Sequence, residues 1–245
     1  MRREIERGIF RTIVSRFTFH VSRGALLCAL LAACAIPQVS SRTVYEDPTN
    51  FVRLEIDSTV LPEWPPSAHS HPASISVEEM ASVLRQLKVQ EHRVALQRMI
   101  QGDAPRVPAF SEEEIALLAP RLSEALAQAK PNERVTFYLS YPQTSIKRVI
   151  TTGGLYVRGT ELHFILGNWR IVYGIPAYGM IYDRRYPMSP TAAKGFDLFF
   201  EQDAAVLHQK SSIWDRLLAN EKDELVIDLS RVFPGAAAGD PVARR

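Results

Sequence analysis

The stretch that decides the fold is ERVTFYLSYPQTSIKRVITTGGLYVRGTELHFILGNWRIVY, residues 133–173, in which apolar side chains recur at every second position. This alternation is typical of β-strands that bury one face. It predicts strands over residues 134–139, 146–152, 155–157, 162–166 and 169–173. Because the segments between them are short, we expect consecutive strands to pair as an antiparallel meander.

The turns of this meander are marked by Gly and Pro. We predict turns at Tyr141–Thr144 and at Arg158–Glu161. Gly153-Gly154 permits a sharp bend or a bulge, and Gly167-Asn168 leads into the last strand. Neither glycine pair precedes a helix as a phosphate-binding loop does, so both are interpreted as turn glycines.

Two helices are predicted before the strands. Each begins with a capping box, Ser76–Glu79 and Ser111–Glu114, followed by an apolar stripe at helical spacing. The first helix is clear to Leu87, whereas Lys88–Gln101 fits alternation as well as helical spacing, so that its type stays open. Pro120 interrupts the second helix and predicts a kink or two abutting helices, because proline lacks an amide hydrogen.

The rest of the chain completes an α+β domain over residues 75–233. Later elements are strands at 196–200, 204–209 and 224–229 and a short helix at 212–220, and residues 234–245 form a disordered tail. Because the helices precede the strands, we expect two or three helices packed on a mostly antiparallel sheet of about six strands.

Residues 34–74 are rich in Pro, Ser, Thr and His, a composition that predicts an extended, flexible tether. Within this segment, Asn50–Asp57 alternates apolar and polar residues. We therefore expect one strand in the tether and pair it with the sheet.

The amino-terminal segment has the pattern of a secretion signal. Six arginines in residues 1–23 precede a short apolar run, Gly24–Cys34. The run is about half of the roughly 20 residues that a membrane-spanning helix needs. We therefore predict that residues 1–33 are cleaved and not retained as a span.

The end of this run, Leu31-Ala32-Ala33-Cys34, resembles the lipobox of bacterial lipoproteins. The resemblance implies that Cys34 receives a diacylglyceryl group, that cleavage occurs just before it, and that the new amino terminus is acylated. Several acyl chains together make such an anchor stable. Ala35, where the inner-membrane sorting pattern of enterobacterial lipoproteins has Asp, favours the outer membrane over the inner one.

The chain beyond Cys34 is similar to uncharacterised bacterial lipoproteins. The resemblance is carried by the phrases His-Pro at 71–72, Ser-x-x-Glu at 76–79 and Thr-Thr-Gly-Gly-Leu-Tyr-Val at 151–157. This resemblance carries no activity with it. The expected location, the cell envelope facing the periplasm, follows from the lipobox resemblance.

The charge of the predicted mature chain argues against a nucleic-acid partner. The whole chain has 29 Lys and Arg against 27 Asp and Glu, but six of the former and two of the latter precede Cys34. The mature chain thus holds 23 basic and 25 acidic residues, without the clustered cations that nucleic acids require. Cys28 leaves with the signal and Cys34 is lipidated, so no disulfide is expected.

The long segment Gly174–Lys194 is the candidate binding region, because loops of this length are uncommon unless functional or disordered. Tyr178, Tyr182 and Arg185, with Trp169 before them, have the residue types that dominate contact surfaces. The alternative, that the aromatics pack the sheet and the arginines face water, stays open.

The histidines give a weaker signal. His69 and His71 are two residues apart, but no further ligands stand at a readable spacing, so we interpret them as solvated tether residues and predict no metal or cofactor. His163 and His208 fall in predicted strands and could act as a base beside an Asp. None of the established hydrolase motifs surrounds them.

These features favour a lipid-anchored, non-enzymatic envelope module that binds a protein or cell-wall component through the 174–194 loop. The rival hypothesis is a lipid-anchored periplasmic hydrolase with His163 or His208 as its base. A third possibility is a purely structural module.

Overall fold

The described part of the chain contains nine strands and four helices. The computed structural model describes residues 40–60, 68–144, 147–174, 187–188, 195–207 and 224–234. The strands are β1 Ser41–Glu46, β2 Phe51–Ile56, β3 Leu87–Glu91, β4 Val107–Pro108, β5 Glu133–Pro142, β6 Lys147–Arg158, β7 Glu161–Gly174, β8 Phe196–Phe200 and β9 Glu224–Asp228. The helices are α1 Val77–Gln86, α2 Ala95–Gln101, α3 Glu112–Gln128 and α4 Leu229–Val232.

Six of the strands form one fully antiparallel sheet in the order β1-β2-β5-β6-β7-β9. The predicted α+β fold with an antiparallel sheet of about six strands is therefore confirmed. A second sheet of three antiparallel strands, in the order β4-β3-β8, takes up the predicted strand at 196–200. The predicted strand at 204–209 is wrong where it is described, because Asp203–Ala205 is a 3₁₀ turn followed by a single bridge from Val206 to Ile227.

The capping boxes begin α1 and α3 as predicted. The hydroxyls of Ser76 and Ser111 accept hydrogen bonds from the third helical amides, and Glu79 and Glu114 bond back to the serine amides. Helix α3 continues through Pro120 as one helix, so the prediction of two abutting helices is wrong. The undecided segment 88–101 contains both β3 and α2.

The central strands are longer than the alternation predicts. Strand β6 runs through Gly153 and Gly154, and β7 runs through Gly167, so the interpretation of these residues as turn glycines is wrong. The register of the β6–β7 pair shifts between Ile150 and Gly153, which is the predicted irregularity placed slightly earlier. The turn with Gly159 at φ +57° joins the two strands as predicted.

One face of the large sheet, here called the apolar face, packs against the helices. Its strand residues are Val52, Leu54, Val135, Phe137, Leu155, Val157, Leu162 and Phe164, all at most 4% exposed. Helices α1 and α3 add Met80, Val83, Leu118 and Leu122, which are fully buried. Residues of alternating polarity thus bury their apolar half as the period of two predicts.

The folded part of the chain begins earlier than predicted. The predicted tether of residues 34–74 contains β1 and β2, and the predicted strand pairs with β5 in the sheet. The boundary between tether and domain therefore moves from residue 74 to Ser40, where the compact unit containing the sheet begins.

Several predictions lie outside the described residues. They concern the signal and Cys34, most of the 174–194 loop, the helix at 212–220, His208 and the tail from residue 235. Within the described ranges, no helix has both the length and the apolar composition needed to cross a membrane.

Candidate functional site: the polar face of the sheet

The second face of the six-stranded sheet is also largely buried, and many of its side chains are polar, beside a small apolar cluster of Phe51, Tyr138 and Ile150. Because side chains alternate along a strand, the residues next to the apolar ones point to this side. We call it the polar face. Its polar strand residues are Arg53, Glu55, Arg134, Thr136, Tyr156, His163 and Glu224, and Asp57, His69 and His71 lie beside them. Glu55, Tyr156 and His163 are only 4%, 6% and 3% exposed. Buried titratable groups of this kind need partners, since an unpaired buried charge is costly.

One imidazole–carboxylate pair, formed by His69 and Asp57, lies at the edge of this face. His69 Nε2 is 3.1 Å from Asp57 Oδ2, while Asp57 Oδ1 accepts hydrogen bonds from the Thr59 amide at 2.9 Å and hydroxyl at 2.7 Å. Arg134 Nη1 is 3.6 Å from the same Oδ1. Burial opposes ionisation, but these hydrogen bonds and Arg134 hold the pKa of Asp57 well below its usual range.

His71 is held in one neutral form by the backbone. Its Nδ1 lies 2.8 Å from the Glu133 carbonyl oxygen, and its Nε2 accepts a hydrogen bond from the Val157 amide at 3.1 Å. A carbonyl can only accept and an amide can only donate, so the proton sits on Nδ1. Burial, reinforced by nearby His69, lowers the pKa of His71 to about 4.

A stack of three rings on the polar face connects the His69–Asp57 pair to a second imidazole–carboxylate pair. The Tyr156 ring lies between His69 and His163, with centroid separations of 4.2 Å and 4.5 Å. His163 Nδ1 is 2.8 Å from Glu224 Oε1, which makes a second imidazole–carboxylate pair. Burial, together with the hydrogen bond and charge of Glu224, raises the pKa of Tyr156, so its phenol stays protonated.

Glu55 is the third buried carboxyl group of the polar face. It accepts a hydrogen bond from the Thr136 hydroxyl at 2.9 Å. Burial raises the pKa of Glu55, while Thr136, Arg134 and Arg53 act in the opposite direction. The polar face therefore holds two carboxyl groups with opposite shifts: the pKa of Glu55 is raised, and the pKa of Asp57 is lowered.

The two imidazole–carboxylate pairs have the composition of a general base and its orienting group. Both imidazoles are at most 3% exposed, and within the described part of the chain neither is hydrogen-bonded to a Ser, Thr or Cys side chain. Among the same described residues, no group of three or more His, Cys, Asp or Glu is placed to hold a metal ion. Among the described residues, both pairs are thus buried polar interactions within the fold.

Comparison with known proteins gives no further guide to this site, since no protein-family model, curated protein or solved structure matches the chain.

Of the predicted contact residues, Trp169 is described and it belongs to the core. It is 9% exposed, its Nε1 donates to the Ala109 carbonyl at 2.9 Å, and its ring centroid is 6.1 Å from that of Phe196. This placement favours the alternative of sheet packing for Trp169. Tyr178, Tyr182 and Arg185 lie outside the described residues.

Besides Gly174 at the end of β7, two residues of the 174–194 loop are described, Pro187 and Met188, and they lie on the polar face. A Cβ atom at Gly154 would lie 2.6 Å from Met188 Sδ, and one at Gly167 would lie 2.7 Å from the Met188 carbonyl oxygen. A side chain at either position would collide with Met188, which packs directly on the strands. This contact accounts for glycine at both positions. The loop that the sequence suggested as a free binding region is anchored there by its own residues 187–188.

The interpretation of His69 and His71 as solvated tether residues is wrong, since they are 3% and 5% exposed. Composition concealed them, because they stand among prolines and serines. A usable signal was the alternation of Thr136, Tyr138 and Tyr156 with the apolar strand residues, since Thr and Tyr suit a buried polar surface better than a solvated one.

Proposed function

We propose that the chain is a bacterial envelope lipoprotein, held to a membrane by lipid on Cys34, whose domain is a non-enzymatic binding or assembly module. The observation that carries the proposal is where the fold begins. Every described strand and helix starts at Ser41 or later, so cleavage before Cys34 would remove none of them. Lipidation at this position is thus compatible with an intact domain.

The use of the buried histidines supports a module without catalysis. His69, His71 and His163 are each bonded to a carboxylate or to backbone within the fold. A general base has to come within hydrogen-bond distance of its substrate, and these imidazoles are covered. Their role in the proposal is structural: His69 pairs with Asp57, His71 with backbone groups, and His163 with Glu224.

The proposed location is the periplasm-facing side of the cell envelope, with the outer membrane favoured over the inner by Ala35. The proposed partners are the membrane itself and an envelope protein or cell-wall component. Nucleic acid is not among them, because the predicted mature chain has two more acidic than basic residues.

The anchor is tested by the Cys34→Ala variant expressed in a bacterium that processes lipoproteins. We expect loss of metabolic labelling with palmitate and accumulation of an unprocessed precursor. The matched control is Cys28→Ala, which changes the other cysteine of the same apolar run and should keep both labelling and processing. Equal labelling of Cys34→Ala and the unaltered protein would contradict the proposal.

A hydrolase is the second candidate, and one observation favours it. His163 Nδ1 is oriented by Glu224, and His163 Nε2 is buried without a hydrogen-bond partner in the described part of the chain. If the polar face opens, this nitrogen could act as a base. Hydrolysis of chromogenic esters or amides that is lost in His163→Ala, with the urea unfolding transition intact, would favour this candidate over the first.

A further inference from the structure

Helix α2 presents an apolar face to solvent. Leu96, Met99 and Ile100 are 68%, 86% and 74% exposed, and no residue of the helix is buried. Their spacing places all three, with Ala95, on one side, while Gln97, Arg98 and Gln101 occupy the other. The helix is thus amphipathic in a place where the rest of the described domain offers it nothing to pack on.

The surroundings of α2 differ in charge from the remainder of the domain. Residues 88–106 contain four Lys or Arg and two Asp or Glu, whereas the rest of the predicted mature chain contains 19 basic and 23 acidic residues. Arg98 Nε lies 3.1 Å from Asp103, and Lys88 Nζ lies 3.3 Å from Glu201. The segment that carries the exposed apolar face is therefore net basic, and its cations besides these two paired ones are Arg93 and Arg106.

We propose that α2 docks into the interface of an anionic lipid bilayer, with Leu96, Met99 and Ile100 among the acyl chains and the arginines at the headgroups. An amphipathic helix with an apolar face and a basic rim is the usual form of such a contact. The proposal rests on the proposed lipid anchor for proximity. Seven residues from Cys34 to Ser41 span at most about 25 Å, so the domain cannot leave the bilayer.

A second copy of the chain is the weaker occupant for this face. A stable interface buries roughly 800 Å² on each partner. A helix of seven residues is about 10 Å long and cannot supply that area alone. A bilayer needs no complementary shape, and it is already adjacent to an anchored domain.

The test measures immersion at single positions of the full chain. Cys28 and Cys34 are both replaced by alanine, and an environment-sensitive nitrobenzoxadiazole dye is attached to a Met99→Cys variant. We expect dye emission to rise about two- to threefold and shift to the blue with phosphatidylethanolamine–phosphatidylglycerol vesicles, as for groups entering the acyl boundary. The matched control is Gln97→Cys on the opposite face, whose emission should stay nearly constant.

Adding Leu96→Glu to the labelled Met99→Cys chain should remove the rise, with an unchanged urea unfolding transition showing that the domain is intact. Equal responses at positions 97 and 99, or no response at either, would overturn the proposal. So would a rise that follows protein concentration without vesicles, since that would identify a second copy as the occupant. These chains lack Cys34, so failure of docking is distinct from failure of the lipid anchor, which palmitate labelling reports.

Discussion

The two faces of the six-stranded sheet are both buried, yet they are built from opposite chemistry. On the apolar face, Leu54 and Leu155 are at most 1% exposed and contact other hydrocarbon groups. On the polar face, one residue further along the same strands, Glu55 and Tyr156 are at most 6% exposed and contact charged or hydrogen-bonding groups. Burial alone therefore does not distinguish the faces, and they should fail for different reasons when changed.

The largest effect is expected on the apolar face. Phe137 is fully buried, and its ring lies 5.9 Å and 6.0 Å from those of Phe110 and Phe164. Phe137→Ala should lower the free energy of unfolding by about 3 to 5 kcal/mol, because it loses transfer free energy and leaves a cavity. Urea unfolding followed by circular dichroism measures this. A loss below about 1 kcal/mol would mean that the face is not packed as described.

On the polar face, a substitution should lower the free energy of unfolding because it leaves a buried polar group without its partner. Asp57→Ala removes the acceptor of His69 and Thr59 and should cost about 2 to 4 kcal/mol in unfolding free energy, because the partners stay buried. Asp103→Ala is the matched control. Its salt bridge with Arg98 is exposed on both sides, so the change should be within about 0.5 kcal/mol. Equal effects of the two substitutions would show that the contacts of Asp57 stabilise the fold no more than an exposed salt bridge does.

The contribution of the polar face to the free energy of unfolding should depend on pH because of His71. Its pKa is about 4 in the fold and near 6.5 when unfolded, so the unfolded chain binds the proton first as pH falls. Stability contributed by neutral His71 is present above pH 6.5 and is lost toward pH 4, by up to about 3 kcal/mol.

The measurement for His71 compares unfolding free energies of the unaltered chain and His71→Gln from pH 7 to pH 4. The difference between the two proteins should shrink as pH falls, because glutamine does not titrate. The carboxyl groups of the protein titrate in both chains, so their effect cancels from the difference. A gap that is constant with pH would show that His71 does not carry this dependence.

The smallest effect is expected outside both faces. Leu96→Gln with Met99→Gln should leave the unfolding free energy within about 0.5 kcal/mol, since these side chains of α2 are more than two-thirds exposed. The same unfolding assay applies. A loss above about 2 kcal/mol would mean that α2 packs on the domain in solution.

The apolar face could be predicted from sequence, whereas the pairing of side chains on the polar face could not. Alternation predicts a buried side for Val135, Phe137 and Leu139, and the capping boxes predict helix starts at Ser76 and Ser111. Both signals are local in sequence. The pairing of Asp57 with His69 joins residues across a Pro-rich segment that has the composition of a tether. No local pattern reveals that partner.

The same limit explains the errors over glycine and tryptophan. Gly154 and Gly167 suggest turns, but they are small because Met188, more than 20 residues further along the chain, packs on the strands there. Trp169 suggests a contact surface, but its indole hydrogen-bonds to Ala109, 60 residues earlier. In each case a distant contact assigned the residue its role.

We propose that this domain is displayed from a membrane by lipid on Cys34, and the first test of that proposal is the intact mass of the protein extracted from bacterial membranes. We expect a chain that begins at Cys34 and carries the added mass of a diacylglyceryl group and an amide-linked acyl chain. A chain that retains residues 1–33, or one that begins elsewhere with an unmodified cysteine, would contradict it.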